Sequence, residues 1–259
     1  MAGPQAGSGA KRKRRADQLL VEAGLAESRT RAQSLIMAGR VFVGDRRIDK
    51  PGALLAETTP LMVRGGDHPW VSRGGVKLAH AIDHFGLKSR VREAVAIDVG
   101  ASTGGFTDVL LHHGAARVYA VDVGYGQLAD KLRRDPRVVV RERTNARRLT
   151  PADIPEPVDI LVCDASFISL KTVLPAPLAF LKPGGLVVAL VKPQFEAGRT
   201  HVGKGGVVRD PAVREKVVED LRAWFADQGY RIRGVTESPI TGPKGNVEYL
   251  LAAEKGGRP

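Results

Sequence analysis

Two groups of residues in this sequence have the types and spacing needed for chemistry, and the first is a loop of small residues. The loop follows an apolar run at 95–97, carries glycines at positions 100, 104 and 105, and leads into a helical pattern near Phe106. Small residues allow backbone N–H groups to approach a ligand, and a helix N-terminus favours electron-rich groups. Asp122 ends the next apolar run, and an acid about 20 residues beyond the first glycine can accept both hydroxyls of a ribose. The pattern therefore predicts a nucleoside-binding crevice.

The glycine spacing differs from two common nucleotide motifs. It is not the G-x-G-x-x-G of a dinucleotide site, and no Lys-Ser/Thr pair follows as in a phosphate-binding loop. An NAD-dependent oxidoreductase is therefore disfavoured. A glycine-rich turn without a ligand is the alternative interpretation of the loop taken alone.

The second group consists of two lysines and two acids. Asp164, Lys192 and Glu248 lie at or near the ends of predicted strands, and Lys77 opens the first helix of the same region. Because a parallel sheet places its ligand crevice at the carboxyl ends of its strands, we expect these side chains to lie close together. Two lysines and two acids in one place indicate either a catalytic group or a salt-bridge network.

These residues are carried by alternating apolar runs and amphipathic helices, which is typical of an α/β protein with a largely parallel sheet. Asp98 and Gly100 are expected to end the first run, and 182–185 to form a turn. Helices are expected at 77–85 and 211–228, and others are expected to begin near 106, 124 and 165. Strands are predicted at 95–97, 117–122, 137–140, 158–164, 186–191, 230–235 and 248–253.

The N-terminal part of the chain has its own organisation. Residues 1–14 are predicted to be a disordered basic tail, and 67–72 a linker. Between them, 15–66 predict a small module with helices at 16–23 and 29–38 and a hairpin at 41–48. Ser28 is expected to cap the second helix, and Gly39 to follow its end. The larger domain occupies 73–259.

Charge and composition limit the classes of function. The formal net charge of +12 favours nucleic acid or an anionic membrane as a partner. No apolar run approaches the roughly 18 residues needed to span a bilayer, and no secretory signal is recognisable. The single cysteine, Cys163, excludes a disulfide framework and fits a reducing cytoplasm. The histidines lack metal-ligand spacing, so we expect a cytoplasmic protein without a metal site.

The stretch RADQLLVEAGLAESRTRAQSLIMAGRVFVGDRRIDKPG covers most of the N-terminal module. It resembles the S4 domain, a small RNA-binding module of ribosomal proteins and RNA-modifying enzymes. The arginines of this stretch have little packing purpose, whereas phosphate contacts need such cations. A plain helical cap on the larger domain is the alternative. The resemblance implies RNA contacts by Arg15, Arg29, Arg31, Arg40, Arg46 and Arg47.

Further motifs extend the resemblance to nearly the whole chain. They are WVSRGGVKL, DVGASTGGFTDVLL, VDVGYGQL, RTNAR, DASFISL, VKPQFE, GGVVRDP and GNVEYLL, in this order. From residue 15 to residue 251 the chain resembles the TlyA (haemolysin A-like) family, in which an S4 domain is joined to an FtsJ-like methyltransferase domain. The resemblance implies a small α+β S4 domain and a Rossmann-like, seven-stranded α/β methyltransferase domain that uses S-adenosyl-L-methionine (SAM).

The resemblance also implies an activity, namely 2′-O-methylation of cytidine ribose in the ribosomal RNA of ribosomal subunits. The substrate is 16S RNA, 23S RNA or both, and the longer basic tail favours both. A catalytic tetrad falls on Lys77, Asp164, Lys192 and Glu248, and Lys192 is expected to orient or deprotonate the ribose hydroxyl. SAM would be bound by Gly100, Ala101, Ser102, Gly104, Gly105, Phe106, Asp122, Asn145 and Asp164. In the larger domain, RNA would be contacted by Arg73, Arg199 and Lys204.

Two other functions compete with this interpretation. The older family name suggests a membrane-active haemolysin, which the lack of a spanning segment and of a long basic amphipathic helix opposes. A non-catalytic RNA-binding assembly factor is the other, and the intact tetrad opposes it. We expect a monomer.

Overall fold

The computed structural model describes residues 13–23, 25–26, 28–63 and 68–257. The chain divides into two compact units, Met1–Pro69 and Trp70–Pro259. The predicted linker at 67–72 spans this division. Of the predicted tail at 1–14, residues 1–12 lie outside the described part of the chain.

The small unit combines two helices with short strands. Its helices pack through a core that includes Leu20, Ile36 and Val41. Ser28 caps the second helix, since its Oγ accepts a hydrogen bond from the Arg31 N–H at 3.1 Å. The elements are β1 (Lys13–Arg15), α1 (Ala16–Glu22), α2 (Arg29–Met37), β2 (Val41–Val43), β3 (Arg46–Arg47), β4 (Leu54–Ala56) and β5 (Met62–Val63).

The end of the predicted tail is wrong at Lys13 and Arg14, because both lie in strand β1. This strand pairs antiparallel with β4, and Arg14 is the partner of Leu55. Backbone groups form this ladder, so charged side chains can point to solvent while the strand is paired. A run of cations therefore carries no signal for the pairing.

The large unit is built on a seven-stranded sheet in the order β11-β12-β10-β9-β6-β7-β8. The five strands β6 to β10 are parallel to their neighbours among themselves, whereas β12 is antiparallel to both β10 and β11. The strands are β6 (Val95–Val99), β7 (Arg117–Val121), β8 (Val138–Arg141), β9 (Val158–Cys163), β10 (Leu181–Val191), β11 (Tyr230–Glu237) and β12 (Tyr249–Lys255).

Helices cover both faces of this sheet, and each face has its own buried apolar cluster. Leu110 of α5 belongs to one cluster and Phe225 of α10 to the other. The helices are α3 (Gly74–His84), α4 (Lys88–Val91), α5 (Gly105–His112), α6 (Asp130–Arg133), α7 (Leu170–Val173), α8 (Pro175–Leu178), α9 (Pro193–Glu196) and α10 (Pro211–Asp227). The predicted α/β class and sheet are confirmed.

Three predicted boundaries differ from the structure. The segment at 182–185 is part of β10, with a register shift between Leu181 and Leu186, rather than a separate turn. The helices expected near 124 and 165 begin later, at Asp130 and Leu170. In both cases the residues before the helix form loops at the carboxyl end of a strand, where the chain borders a cavity.

Asp98 lies inside the first strand of the large unit and does not end it, contrary to the sequence prediction. It pairs with Ala120 of β7 and Val162 of β9, and its side chain is fully buried. The backbone N–H and the hydroxyl of Thr107 donate to Asp98 Oδ2 at 2.9 and 2.7 Å. The carboxylate thereby ties the strand to the first turn of α5 and fixes the loop between them. Burial raises the pKa of Asp98 to about 7.

We expect Asp98→Asn to weaken the pH dependence of the stability of the large unit. Because the native pKa is about 7 and the unfolded pKa is about 3.9, the native state holds a proton that the unfolded chain releases. Stability should fall as the pH rises from about 4 to about 7, by up to about 1.4 kcal/mol per pH unit, and the variant should lack this contribution.

Urea unfolding at several pH values, followed by tryptophan fluorescence, measures the effect. The chain has two tryptophans, and both Trp70 and Trp224 belong to the large unit. Identical pH dependence in the two proteins would show that Asp98 carries no such proton.

Candidate active site

The candidate site lies where the connections between parallel strands lead to opposite sides of strand β6. After β6 the chain builds β7 and β8 on one side and then returns to place β9 on the other side of β6. Ligands bind at such a switch point, outside the carboxyl ends of the strands. A cavity of about 470 Å³ opens there, and its lining includes Gly100, Ser102, Asp122, Asn145, Asp164 and Ser166.

Glycine is required at two positions of the loop after β6. Gly100 has φ +82°, and a Cβ there would lie 3.0 Å from the backbone of Ala165 and from the Asp164 carbonyl oxygen. Gly104 has φ +97°, and a Cβ there would collide with Leu128 and Leu132. The left-handed conformation and the close approach of the neighbouring loop both exclude a side chain. The loop therefore lies tightly against the chain after β9 at Gly100 and against Leu128 and Leu132 at Gly104.

Asp122 links the first two loops of the site. Its Oδ2 accepts a hydrogen bond from the Ser102 N–H at 2.8 Å, and its Oδ1 accepts one from the Gly124 N–H at 2.7 Å. An ionised carboxylate has about four acceptor positions, so two backbone contacts leave capacity for further donors. The carboxylate is thus fixed in orientation and can still accept bonds from the hydroxyls of a ligand.

Asn145 lines the same cavity and also caps a short helix at 146–148. Its side-chain Oδ1 accepts a hydrogen bond from the Arg147 N–H at 3.1 Å. Because the carbonyl oxygen is used in this cap, the side-chain amide donor is the group that can serve a ligand.

Four of the predicted cofactor residues belong to the loop or to the start of α5 but are not among the described residues that line the cavity. Phe106 is 3% exposed and belongs to the apolar core. Gly105 packs against Ser72 and Gly75. Helix α5 begins at Gly105, and the first three residues of its first turn are all buried. The four residues are Ala101, Gly104, Gly105 and Phe106.

The two lysines and two acids form two ion pairs. The Lys192 Nζ lies 2.6 Å from Asp164 Oδ1, and the Lys77 Nζ lies 2.5 Å from Glu248 Oε2. Three of these side chains are buried: Lys77 is 8% exposed, Lys192 7% and Glu248 1%. Buried charges are costly unless they are paired, which explains the one-to-one arrangement. The structure brings Lys192 together with Asp164, and Lys77 together with Glu248, and so supports the predicted proximity within each pair.

Two residues that the sequence analysis missed join these pairs to their surroundings. The Lys192 ammonium also donates to Ser166 Oγ at 2.8 Å and to the Asp164 carbonyl oxygen at 3.4 Å. Gln194 Nε2 donates to Glu248 Oε1 at 3.4 Å and so connects the end of β10 to the second pair. Both residues stand two positions beyond a predicted site residue, which is the signal that could have found them.

The site can therefore present a hydrogen-bond donor of positive charge at the edge of a ligand cavity. The Lys192 ammonium is held by Asp164 and Ser166, and both of these residues line the cavity. A ligand hydroxyl that replaced the Ser166 hydroxyl would receive the same hydrogen bond. The net charge of the four side chains is zero, so the site adds no excess positive charge near a cationic ligand.

The predicted RNA-binding cations are distributed over both units. In the small unit, Arg15 and Arg29 both contact the carboxylate of Asp17. Of the others, Arg31 and Arg40 are half-buried, whereas Arg46 and Arg47 are exposed. In the large unit, exposed side chains are those of Arg73, Arg199 and Lys204.

The basic loop at 198–209 is anchored beside the strand that follows Glu248. Gly203 and Val207 form a β-bridge. The Asn246 side chain accepts a hydrogen bond from the Val208 N–H at 3.2 Å and donates one to the Gly206 carbonyl at 3.0 Å. This contact couples the loop that carries Lys204 to the approach to β12.

The fold and the site together define an α/β protein with a cavity at the switch point of its sheet and with lysines and carboxylates in ion pairs. Residues 70–255 match the FtsJ-like methyltransferase family, and residues 14–58 match the S4 domain. The chain therefore belongs to the FtsJ-like methyltransferase family and carries an S4 domain before the methyltransferase domain. The resemblance to methyltransferases that the sequence indicated is confirmed.

Relatives of known name share both parts. The chain is 50% identical over 241 residues to the 16S/23S rRNA (cytidine-2′-O)-methyltransferase TlyA of Mycobacterium tuberculosis, covering 93% of this chain and 89% of that protein. It is 42% identical over 239 residues to Hemolysin A of Brachyspira hyodysenteriae, covering 91% and 98%. A solved structure from Streptococcus thermophilus, described only provisionally as a hemolysin, has a TM-score of 0.75 at 46% identity and covers 96% of this chain and 91% of that one.

The described residues lack both a metal-binding cluster and a membrane-spanning helix. They contain no group of three or more His, Cys, Asp and Glu side chains that could hold a metal ion. Within the same part of the chain, no helix has the length and apolar character required to cross a membrane.

We expect Lys77→Met to destabilise the large unit by about 3–5 kcal/mol, because it leaves the carboxylate of Glu248 buried without its partner. Adding Glu248→Gln to this variant should restore more than half of the loss. The control is Lys216→Met, which breaks an exposed pair with Asp220 and should cost less than about 0.5 kcal/mol. Urea unfolding followed by tryptophan fluorescence measures all three. Equal losses for Lys77→Met and Lys216→Met would contradict the buried-pair interpretation.

Proposed function

We propose that this protein transfers the methyl group of SAM to the 2′-hydroxyl of a cytidine ribose in ribosomal RNA. The observation that carries the proposal is the Lys192–Asp164 ion pair at the edge of the cavity that also contains Asp122. It combines a cofactor crevice with a cation that can hold a hydroxyl oxygen. The activity named for the Mycobacterium tuberculosis relative supports the same reaction.

The residues around the cavity fit SAM. When bound, SAM supplies a methyl group on a cationic sulfur. Gly100 and Ser102 line the cavity without large side chains, and the Asp122 carboxylate has acceptor capacity for two ribose hydroxyls. The side-chain amide of Asn145 would donate to the adenine. Asp164, which lines the cavity and pairs with Lys192, would stand between the cofactor and the RNA.

Lys192 has the central role in the transfer. A ribose 2′-hydroxyl is a weak nucleophile, so it must be held in line with the methyl group, and such positioning can lower a barrier by roughly 7–11 kcal/mol. The Lys192 Nζ would hold the ribose oxygen in place of its present bond to Ser166 Oγ. As an ammonium paired with Asp164 it can orient the hydroxyl, whose proton is then released to water, and as a neutral amine it could take that proton itself.

Lys77 and Glu248 form the second ion pair, which stabilises the segment that carries Lys192. Gln194 joins Glu248 to the segment just after Lys192. The two carboxylates balance the two ammonium groups, which avoids accumulating positive charge beside a cationic sulfur.

The RNA would be held by cations of both units. Phosphate contacts give affinity without sequence choice, so the target is read through the shape of folded RNA. We propose ribosomal subunits as the substrate, with 16S RNA, 23S RNA or both as targets and the protein acting as a monomer. The S4 arginines, Arg73, Arg199 and Lys204 would contact the phosphates.

We expect Lys192→Ala to lower methyl transfer by at least about 100-fold, because the hydroxyl loses its positioning group. The assay is transfer of radiolabelled methyl from SAM to small and large ribosomal subunits that lack the modification, tested separately. The matched control is Lys182→Ala, which breaks an ion pair with Asp159 at the other end of the same strand and should leave transfer unchanged. SAM affinity should stay within about threefold in both variants.

The outcomes separate the parts of this proposal. Labelling that survives Lys192→Ala would overturn the assigned site, and SAM binding without labelling of either subunit would overturn the substrate. Lys192→Arg distinguishes the two roles of the lysine, since arginine donates hydrogen bonds but cannot be deprotonated in proteins. Measurable activity in Lys192→Arg supports orientation, and complete loss supports proton abstraction.

We expect Asp122→Asn to weaken SAM binding by about 10- to 100-fold, since a hydrogen bond to a charged group contributes about 1.5–3 kcal/mol. RNA binding should be unaffected. Asp130→Asn is the control, because Asp130 is an exposed acid at the start of α6. Calorimetric titration with SAM measures both variants. Unchanged affinity in Asp122→Asn would remove this carboxylate from the cofactor site.

A further inference from the structure

The small unit contains a fully buried carboxylate that the proposed reaction does not use. Asp17 lies in the first turn of α1 and is 0% exposed. Arg15 donates to it twice, from Nε to Oδ1 at 3.0 Å and from Nη2 to Oδ2 at 2.9 Å. Arg29 Nη2 and Gln33 Nε2 donate to Oδ2 at 3.3 and 2.9 Å. These hydrogen bonds, those of Arg15 above all, hold the pKa of Asp17 well below its usual range.

The two arginines remain accessible although their partner is buried. The side chains of Arg15 and Arg29 are 42% and 54% exposed. Each guanidinium carries five N–H donors, and the contacts with Asp17 use two of them in Arg15 and one in Arg29. Two exposed guanidinium groups therefore share one buried carboxylate, and the three side chains together carry a net positive charge.

The arrangement joins separate elements of the unit. Arg15 ends β1, Asp17 belongs to α1, and Arg29 opens α2, with Gln33 one turn later on the same helix. Arginine side chains lose rotamer freedom when a ligand orders them, and holding them in place beforehand removes that cost from binding. Arginine is also suited to bidentate contact with phosphate.

We propose that Asp17 is a positioning residue for RNA binding, which holds Arg15 and Arg29 as a preformed pair for a backbone phosphate. This inference rests on the proposed function, in which the small unit binds RNA.

Replacement of Asp17 by Asn separates positioning from simple charge. Removing a negative charge near RNA would by itself strengthen binding, whereas losing the organised pair weakens it. We expect the affinity of the full chain for unmodified ribosomal RNA to fall about 3- to 10-fold in Asp17→Asn. The dependence of log affinity on log salt concentration should also become shallower by one to two phosphate contacts, each of which contributes a slope of about 0.7–0.9.

A matched control and a double substitution test the assignment further. Asp49→Asn removes an exposed acid that pairs with Arg47 at 2.5 Å, and it should leave the affinity unchanged or slightly higher. If Asp17 acts through the arginines, Asp17→Asn should have little further effect in an Arg15→Ala/Arg29→Ala background, because the effects of coupled residues are not additive.

A neutral variant covers the case in which Asp17→Asn fails to fold, as judged by circular dichroism melting. Gln33→Met keeps the charge and approximate size but removes one donor to Asp17, and it should lower RNA affinity in the same direction by a smaller factor. Unchanged or tighter binding in both Asp17→Asn and Gln33→Met overturns the positioning role. If the unaltered protein does not bind ribosomal RNA, or if Arg15→Ala and Arg29→Ala bind normally, the proposed RNA contacts fail instead.

Discussion

The pairing of buried charge is the constraint on which the candidate site depends. Lys192 and Asp164 come from the ends of two adjacent parallel strands, whereas Lys77 and Glu248 come from α3 and from the approach to the antiparallel strand β12. None of the three most buried of these side chains could stay charged there alone. The antiparallel strand therefore does more than complete the sheet, since Glu248, just before it, supplies the carboxylate that allows Lys77 to be buried.

The sequence predicted the parts of the fold that depend on side-chain patterning. Apolar runs marked the parallel strands because their faces are both covered by helices, and Ser28 and Gly39 marked the ends of α2. The pattern failed where backbone pairing or a single polar contact decides the structure. Asp98 looked like a strand end because an isolated acid is rarely buried, and only the contact with Thr107 explains its place.

The site could be predicted in part for the same reason. Residues at strand ends, such as Asp122 and Lys192, are fixed by topology and were found together from the sequence and its family resemblance. Whether Phe106 lines the cavity depends instead on which way the first turn of α5 faces, and the Phe106 side chain packs in the apolar core. Ser166 and Gln194 have only their position two residues beyond a predicted site residue as a signal, since a hydroxyl or amide gains its role from the group that it contacts.

Both units hold cations in place by ion pairs with carboxylates, but the ratio of cations to carboxylates differs. In the large unit Lys77 and Lys192 each have one carboxylate partner, so the charges of the four side chains cancel and both ammonium groups are held in place. In the small unit one carboxylate serves two arginines, so a positive charge is left over and faces solvent. A cationic cofactor requires the first balance and an RNA phosphate requires the second. The ratio of carboxylates to cations in each group of paired side chains thus matches the charge of the ligand proposed for that unit.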